Sequence, residues 1–305
     1  MQINLTQVLP CHLKCSFCVS KKNLIPKTRY DLENFITVVD ICTKYGIYNF
    51  DLTPHIGEFL LDEQFMSKML FLESNKKVKT WNFVTNFLPD NPAFYILIPE
   101  FSKGTINISI YGLSQKQYIE TTGKDMFSKF CNNLWFTITK AEELKKKLKT
   151  INLYTRYNNS PLDSESYIIF LLDELKKLGA TEDITEIHNK NWGGLIESDF
   201  IGKEKNGICQ HSICDNGIFP NGDMTLCNCW DTFKTLSLGN IFNKSLKSIY
   251  SENSKFGELI KGQMFGKYTG ICEKCNDFEL VDINSIEIDW LKKYKKIIKQ
   301  TREQR

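Results

Sequence analysis

Apolar and polar positions alternate between two periods through the first two-thirds of the chain. Ile3–Leu9 reads as a strand that runs into a cysteine-bearing loop. Leu32, Phe35, Ile36, Val39 and Cys42 then recur at helical spacing, with Asp31 placed to cap the start and Gly46 to stop the end. Further strands are predicted at Ile47–Thr53, Val78–Thr85, Thr105–Tyr111, Ile151–Tyr157 and Ile184–His188. Helices are predicted at Asp62–Leu72, with Phe65, Met66, Met69 and Leu70 inward, and at Pro92–Ile98, Met126–Lys147 and Ser164–Leu178, the last closed by Gly179. Six strands joined by crossovers imply an α/β protein with a parallel sheet. In closed sheets of this kind ligands sit at the C-terminal ends of the strands, which is where the first loop falls.

The alternation stops after about Gly194. From Gly207 to about Leu280 the chain is short in regular pattern and rich in cysteine, with turn signals at Asp215-Asn-Gly and Asn221-Gly222. It is expected to form a small second domain built around metal. In the tail, Trp290, Leu291, Tyr294, Ile297 and Ile298 recur at helical spacing among lysines, which predicts an amphipathic helix. The expected division is therefore residues 1–200, 201–282 and 283–305.

Composition narrows the class. A chain of 305 residues with 42% hydrophobic and 25% charged content suits a globular protein of one large and one small domain. The apolar runs are too short for a membrane span, and the N-terminus lacks the pattern of a signal peptide. A cytoplasmic location is expected, where eleven cysteines point to metal ligation rather than disulfides. Four histidines are too few for a histidine-rich site, and a net charge of +3 without a basic stripe predicts no nucleic-acid partner.

Cys11, Cys15 and Cys18 are spaced C-x3-C-x2-C. Three thiolates on one loop can hold three irons of a four-iron cluster and leave the fourth open to a small molecule, whereas closed clusters take four cysteines and mostly carry electrons. This spacing, with Phe17 before the last cysteine, resembles that of the radical S-adenosylmethionine (SAM) enzymes. The resemblance implies a partial (β/α)6 barrel and a [4Fe-4S] cluster whose open iron is chelated by the amino and carboxylate groups of SAM. It also implies reductive cleavage of SAM to a 5′-deoxyadenosyl radical that abstracts a hydrogen atom, fed by an electron donor such as flavodoxin or ferredoxin.

Other segments fit the same family. Ile56-Gly57-Glu58-Phe59, after the second strand, resembles its glycine-glycine-glutamate-proline motif, with Ile56 and Phe59 departing from the pattern. The resemblance gives Gly57 and Glu58 to the SAM ammonium. On the fourth strand Asn107, Ser109 and Tyr111 share a polar face, and on the fifth Asn152, Tyr154, Arg156 and Asn158 do. Ser109 resembles the family's contact to the ribose or methionine part. Arg156 is a candidate for the SAM carboxylate, because a guanidinium fork suits a carboxylate. Asn86 is a candidate of the same kind, and Phe17 is expected to set its backbone near the adenine.

The C-terminal region carries Cys209, Cys214, Cys227, Cys229, Cys272 and Cys275. A hairpin through Gly217–Leu226, turning at Asn221-Gly222, can bring its flanking cysteines together, and Cys272-x2-Cys275 supplies two more thiolates. Spacing alone also fits a four-cysteine zinc site. The run Ile218–Cys227, then Leu238–Ile241 and Ile271–Asp277, resembles the twitch domain, a shortened SPASM extension of radical SAM enzymes. That resemblance implies one auxiliary [4Fe-4S] cluster on Cys209, Cys227, Cys272 and Cys275, though Cys214 or Cys229 could replace Cys209 or Cys227. As spare thiols, Cys214 and Cys229 are candidates to return a hydrogen atom to substrate, as a cysteine does in some related epimerases. Cys42 and Cys131 lie on apolar helical stripes and read as core.

The first strand begins almost at residue 1, so no N-terminal peptide-recognition domain is expected, and the resemblance favours dehydrogenation or epimerisation of a small polar molecule such as a sugar, aminocyclitol or nucleotide derivative. The alternatives are a peptide maturase working with a separate recognition protein, and a zinc-stabilised binding module. His55, the Asn189–Gly194 segment, Trp230 and Asp231 are further candidates to line a pocket.

Overall fold

The computed structural model describes residues 1–22, 24–156, 164–183, 190–282 and 286–295. The chain divides into two compact units: Met1–Val8, Ile25–Asp51 and Asn189–Arg305 form one, and Leu9–Leu24 with Leu52–His188 form the other. A strand that pairs with the N-terminal strand, described below, joins the start of the chain to its last third in one unit.

In the first unit β1 (Gln2–Leu5) leads to α1 (Leu32–Tyr45) and β2 (Asn49–Asp51), which lies parallel to β1. Helix α1 starts where expected: the Asp31 carboxylate accepts from Asn34 N, and Gly46 ends it at φ 101°. Its Phe35, Val38, Val39 and Cys42 are buried, as their spacing demands.

The second unit begins with the cysteine loop and continues through α2 (Phe65–Ser74), β3 (Thr80–Thr85), α3 (Pro92–Leu97), β4 (Gly104–Ile110), α4 (Gln115–Thr122), α5 (Phe127–Glu143), β5 (Ile151–Thr155), α6 (Ser166–Lys177) and β6 (Thr181–Asp183). Strands β3 to β6 pair in sequence order and all in parallel. Phe59, Phe65, Phe83, Phe87 and Phe94 form its aromatic core, with Phe59 and Phe83 rings 5.0 Å apart. On the other face of the sheet a polar ladder crosses three strands: Asn152 Nδ2 donates to Asn107 Oδ1 at 2.9 Å, and Thr181 Oγ1 to Asn152 Oδ1 at 2.9 Å.

One detail differs from the pattern. On α2 Leu70 is exposed, and Lys68 is buried instead, paired with Asp62. An ion pair supplies what the apolar count could not. Strand β6 is described at Thr181–Asp183, and the strand expected at Ile184–His188 lies outside the described residues.

The rest of the first unit holds α7 (Gln210–Cys214), β7 (Asp215–Ile218), β8 (Asp223–Thr225), β9 (Ser237–Asn240), α8 (Leu246–Ile249), α9 (Lys255–Met264), α10 (Ile271–Lys274) and α11 (Asp289–Lys292). The expected hairpin is present as β7–β8, with Gly222 at φ 82° in its turn. Strand β7 also lies parallel to β1, from Gln2 opposite Asp215 to Leu5 opposite Ile218. That pairing is what places this region in one unit with the N-terminus. Of the expected C-terminal helix, Asp289–Lys292 is helical with Leu291 buried, and residues 296–305 lie outside the described residues. Among the described residues no helix is long and apolar enough to cross a membrane.

Candidate active site

The cysteine loop is held by backbone hydrogen bonds on both sides. Leu9 N donates to Ile56 O at 2.8 Å, and Glu58 N to Pro10 O at 3.0 Å. From the other side Lys14 N donates to Thr122 O and Ser16 N to Thr121 O. Those two acceptors are the last carbonyls of α4, which the periodicity did not reveal. Its signals were there: Ser114 caps its start and Gly123 ends it in the left-handed region. A C-terminal turn has carbonyls to spare, so it makes a natural seat for a loop.

Cys11, Cys15 and Cys18 lie within electrostatic reach of one another. Leu13 N and Ser20 N donate to the Cys11 and Cys18 sulfurs at 3.5 and 3.4 Å, and Asn86 Nδ2 to Cys11 at 3.6 Å. Burial pushes the Cys11 thiol up to about 11 and Cys15 higher still, with the neighbouring cysteines adding to it. One buried and two half-buried thiols that repel each other as thiolates are a donor set for a cationic centre, which would ionise them.

Glu58 is buried, and its carboxylate is already well used: Oε1 accepts from Leu60 N at 3.1 Å and Thr85 Oγ1 at 2.8 Å, and Oε2 from Asn86 N at 2.7 Å. Burial raises it to about 7, against those hydrogen bonds. Gly57 sits at φ 118° with the Leu9 backbone against it. The Asn86 amide is engaged at both ends, by Cys11 and by Leu88 N, so it steadies the loop. Phe17 stacks on Tyr111, ring centroids 6.4 Å apart. Arg156 covers the Tyr154 ring at 4.2 Å, and its charge acts on Cys15 and Tyr111. Ser109 Oγ is buried within side-chain hydrogen-bond reach of the Tyr111 hydroxyl, and Tyr111 in turn lies beside Cys15, Cys11 and Arg156. A buried pair of hydroxyls near two thiols and a guanidinium fits a polar, anionic ligand bound with a metal cluster.

The second cysteine set is in the other unit. Cys209, Cys227, Cys272 and Cys275 line one pocket with His211, Lys205, Trp230 and Asp277. Cys214 and Cys229 are not among its lining residues. The Cys214 thiol accepts from Gln210 Nε2 at 3.1 Å, and its electrostatic neighbours are Asp215, the N-terminal amine and Glu287. Cys229 stands behind Cys227: its thiol hydrogen bond lowers Cys227 below the usual thiol range. The eleven cysteines are all free of disulfides.

The 192–194 turn and Trp230 serve this pocket. Asn191 and Asn276 exchange backbone-to-side-chain hydrogen bonds at 2.8 and 3.2 Å, Lys190 pairs with Asp277, and Trp192 and Trp230 meet edge to face at 5.0 Å. This segment is a clamp on the Cys272–Cys275 turn. Asp231 is a structural carboxylate: it accepts from Thr225 Oγ1, Thr235 N, Thr235 Oγ1 and Leu236 N. His55 is buried.

Residues 209–276 match the SPASM family, described as an iron-sulfur cluster-binding domain. Over nearly its full length the chain also superposes on solved radical SAM enzymes. The chain has the radical SAM fold with a C-terminal SPASM domain. Streptococcus suis SuiB is 12% identical with a TM-score of 0.53, covering 94% of this chain and 74% of its own. BtrN, solved with AdoMet and 2-DOIA, is 14% identical with a TM-score of 0.53, covering 90% of this chain and 92% of its own. AnSMEcpe with bound AdoMet is 16% identical with a TM-score of 0.54, covering 99% of this chain and 97% of its own. No curated sequence is a recognisable relative. In a radical SAM fold the Cys11–Cys18 loop and the four-cysteine pocket of the SPASM domain are the two metal-binding candidates.

Proposed function

We propose that the chain is an enzyme that reductively cleaves SAM and begins its reaction by taking a hydrogen atom from a small polar substrate, a sugar, aminocyclitol or nucleotide derivative, in a dehydrogenation or epimerisation. The observation that carries the reading is the gathering of seven cysteines into two sets, three on one loop beside Glu58, Asn86 and Arg156, and four around one pocket. A reduced four-iron cluster with SAM on its open iron supplies the electron and the hydrogen-abstracting chemistry when bound.

Within that reading Cys11, Cys15 and Cys18 hold three irons. Arg156 offers its guanidinium to the SAM carboxylate. Glu58, poised near neutral by burial, accepts a hydrogen bond on Oε2 from Asn86 N and would be held ionised by the SAM ammonium. The buried Ser109 hydroxyl, beside that of Tyr111, would answer a ribose or methionine oxygen. Cys209, Cys227, Cys272 and Cys275 suit a closed, electron-carrying cluster. A cytoplasmic setting keeps such thiols reduced, and a flavodoxin or ferredoxin suits the supply of electrons.

The likeness to SuiB solved with its precursor peptide SuiA, at a TM-score of 0.55, and to anSMEcpe solved with the Kp18Cys peptide, at 0.51, favours a second reading. In it the chain modifies a peptide with the help of a separate recognition protein.

Iron and sulfide per chain after anaerobic reconstitution test the first step. About eight irons, falling to about four in Cys11/Cys15/Cys18→Ala, are expected for one SAM-cleaving and one closed cluster. Formation of 5′-deoxyadenosine is then followed with sugars, aminocyclitols and nucleotides against candidate peptides. Turnover with peptides alone would overturn the small-molecule reading, and a wild type without iron would overturn both.

A further inference from the structure

His211, the second residue of α7, is not explained by the four thiols it accompanies. Its Nδ1 lies 2.7 Å from Asp215 Oδ2 and 3.5 Å from Cys229 Sγ. Its Nε2 is buried and has no hydrogen-bond partner among the described residues. The Asp277 carboxylate comes no closer than 3.6 Å, and it already accepts from Trp230 Nε1 at 2.9 Å and pairs with Lys190 at 2.5 Å. Leaving a buried ring nitrogen unpaired forfeits its hydration with nothing in return. The position makes sense if something in the pocket takes the bond.

The pocket that His211 lines is walled by sulfur: Cys209, Cys227, Cys272 and Cys275 share that wall with it, and the His211 backbone amide donates towards Cys209. Asp215 holds the Nδ1 edge of the ring, which leaves the Nε2 edge for the pocket. The sulfurs of a cluster can only accept, so a bond between them and the ring runs from Nε2–H. We propose that His211 donates a hydrogen bond from Nε2 to a sulfur of the auxiliary cluster, with Asp215 fixing the ring, and that this bond sets the cluster's reduction potential. The inference rests on the reading of this pocket as an iron–sulfur site.

The consequence follows from charge. Reduction adds an electron to the cluster, and an N–H aimed at its sulfur stabilises the added negative charge. His211 is a positioning and tuning residue here, since it holds no iron and touches no substrate in this account. Asp215 acts through it, by keeping Nδ1 occupied and the other edge of the ring turned to the pocket.

The test uses the reconstituted full chain and reads the midpoint potential of each cluster by titration followed by electron paramagnetic resonance. His211→Leu is expected to retain about four auxiliary irons and to shift the auxiliary potential negative, with the N-terminal cluster's potential unchanged. His211→Gln, which keeps an N–H donor, is expected to recover part of the shift. An unmoved auxiliary potential in His211→Leu overturns the proposal. So does loss of the auxiliary iron in that variant, which would make His211 a ligand or a folding residue. A wild type with no iron in this pocket overturns the cluster reading itself and is told apart by the iron count alone.

Discussion

Gly57 packs so closely on Leu9 that a Cβ built on it would lie 2.3 Å from the Leu9 carbonyl oxygen. The residue also sits at φ 118°, where an L side chain is strained. One glycine therefore joins the segment after β2 to the start of the cysteine loop. Gly57→Ala is expected to cost about 1–3 kcal/mol in backbone strain alone and to push Leu9 and Pro10 away. Thermal unfolding should show the loss, and reconstitution should show the N-terminal cluster depleted while the auxiliary cluster stays. A variant with unchanged melting and full iron would refute this account of the loop.

Lys68 is wholly buried and its ammonium is paired with Asp62, also buried. Removing one partner leaves the other charge without compensation, so Lys68→Met is expected to lose about 3–5 kcal/mol. Adding Asp62→Asn should recover much of it, because the uncompensated charge is then gone. Urea unfolding of the single and double variants measures the difference.

Glu73 accepts from Trp81 Nε1 at 2.9 Å, Ser102 N at 2.7 Å, Ser102 Oγ at 2.6 Å and Lys103 N. Partial burial raises its pKa, but these donors outweigh it and hold the carboxyl below its usual value. The unfolded chain then binds the proton first as pH falls, so the native state loses this stabilisation as pH drops from the ordinary carboxylate range through the lowered value. Glu73→Gln should flatten the acid limb of stability as pH falls below the ordinary carboxylate range. Equal slopes for the two proteins would count against it.

The two cysteine classes should separate by metal content. Cys272→Ala is expected to lose about four irons, whereas Cys214→Ala, whose thiol points to Gln210 rather than into the pocket, should keep them all. Cys229→Ala should also keep its iron but alter the auxiliary cluster's spectrum, because a thiol that hydrogen-bonds Cys227 is lost. Equal iron loss in Cys214→Ala and Cys272→Ala would mean the pocket is assigned to the wrong thiols.

Much of the candidate site is legible in the sequence. The three-cysteine loop, Gly57-Glu58 after the second strand, and the hairpin turning at Gly222 were all visible as local patterns. Local chemistry explains why: three thiols seven residues apart at most, a cap at Asp31 and a positive φ at Gly46 or Gly222 are demands on neighbouring residues. Leu70 and Lys68 show the limit. Periodicity ranks residues by apolarity, so it could not foresee a lysine taken inside by an aspartate six positions away.

By itself the sequence determined which residues could be ligands, how the helices and strands alternate, and the similarity that names the cofactor class. Only the tertiary structure decided which thiols meet. Cys227 and Cys229 are two residues apart and equivalent in spacing, yet only Cys227 lines the pocket while Cys229 stands behind it. The pairing of β7 with β1, more than two hundred residues away, decided that the last third of the chain packs with its first strand. Neither result is written in local preference. Both depend on hydrogen bonds and contacts between residues far apart in sequence, whose formation depends on the whole fold rather than on any window of it.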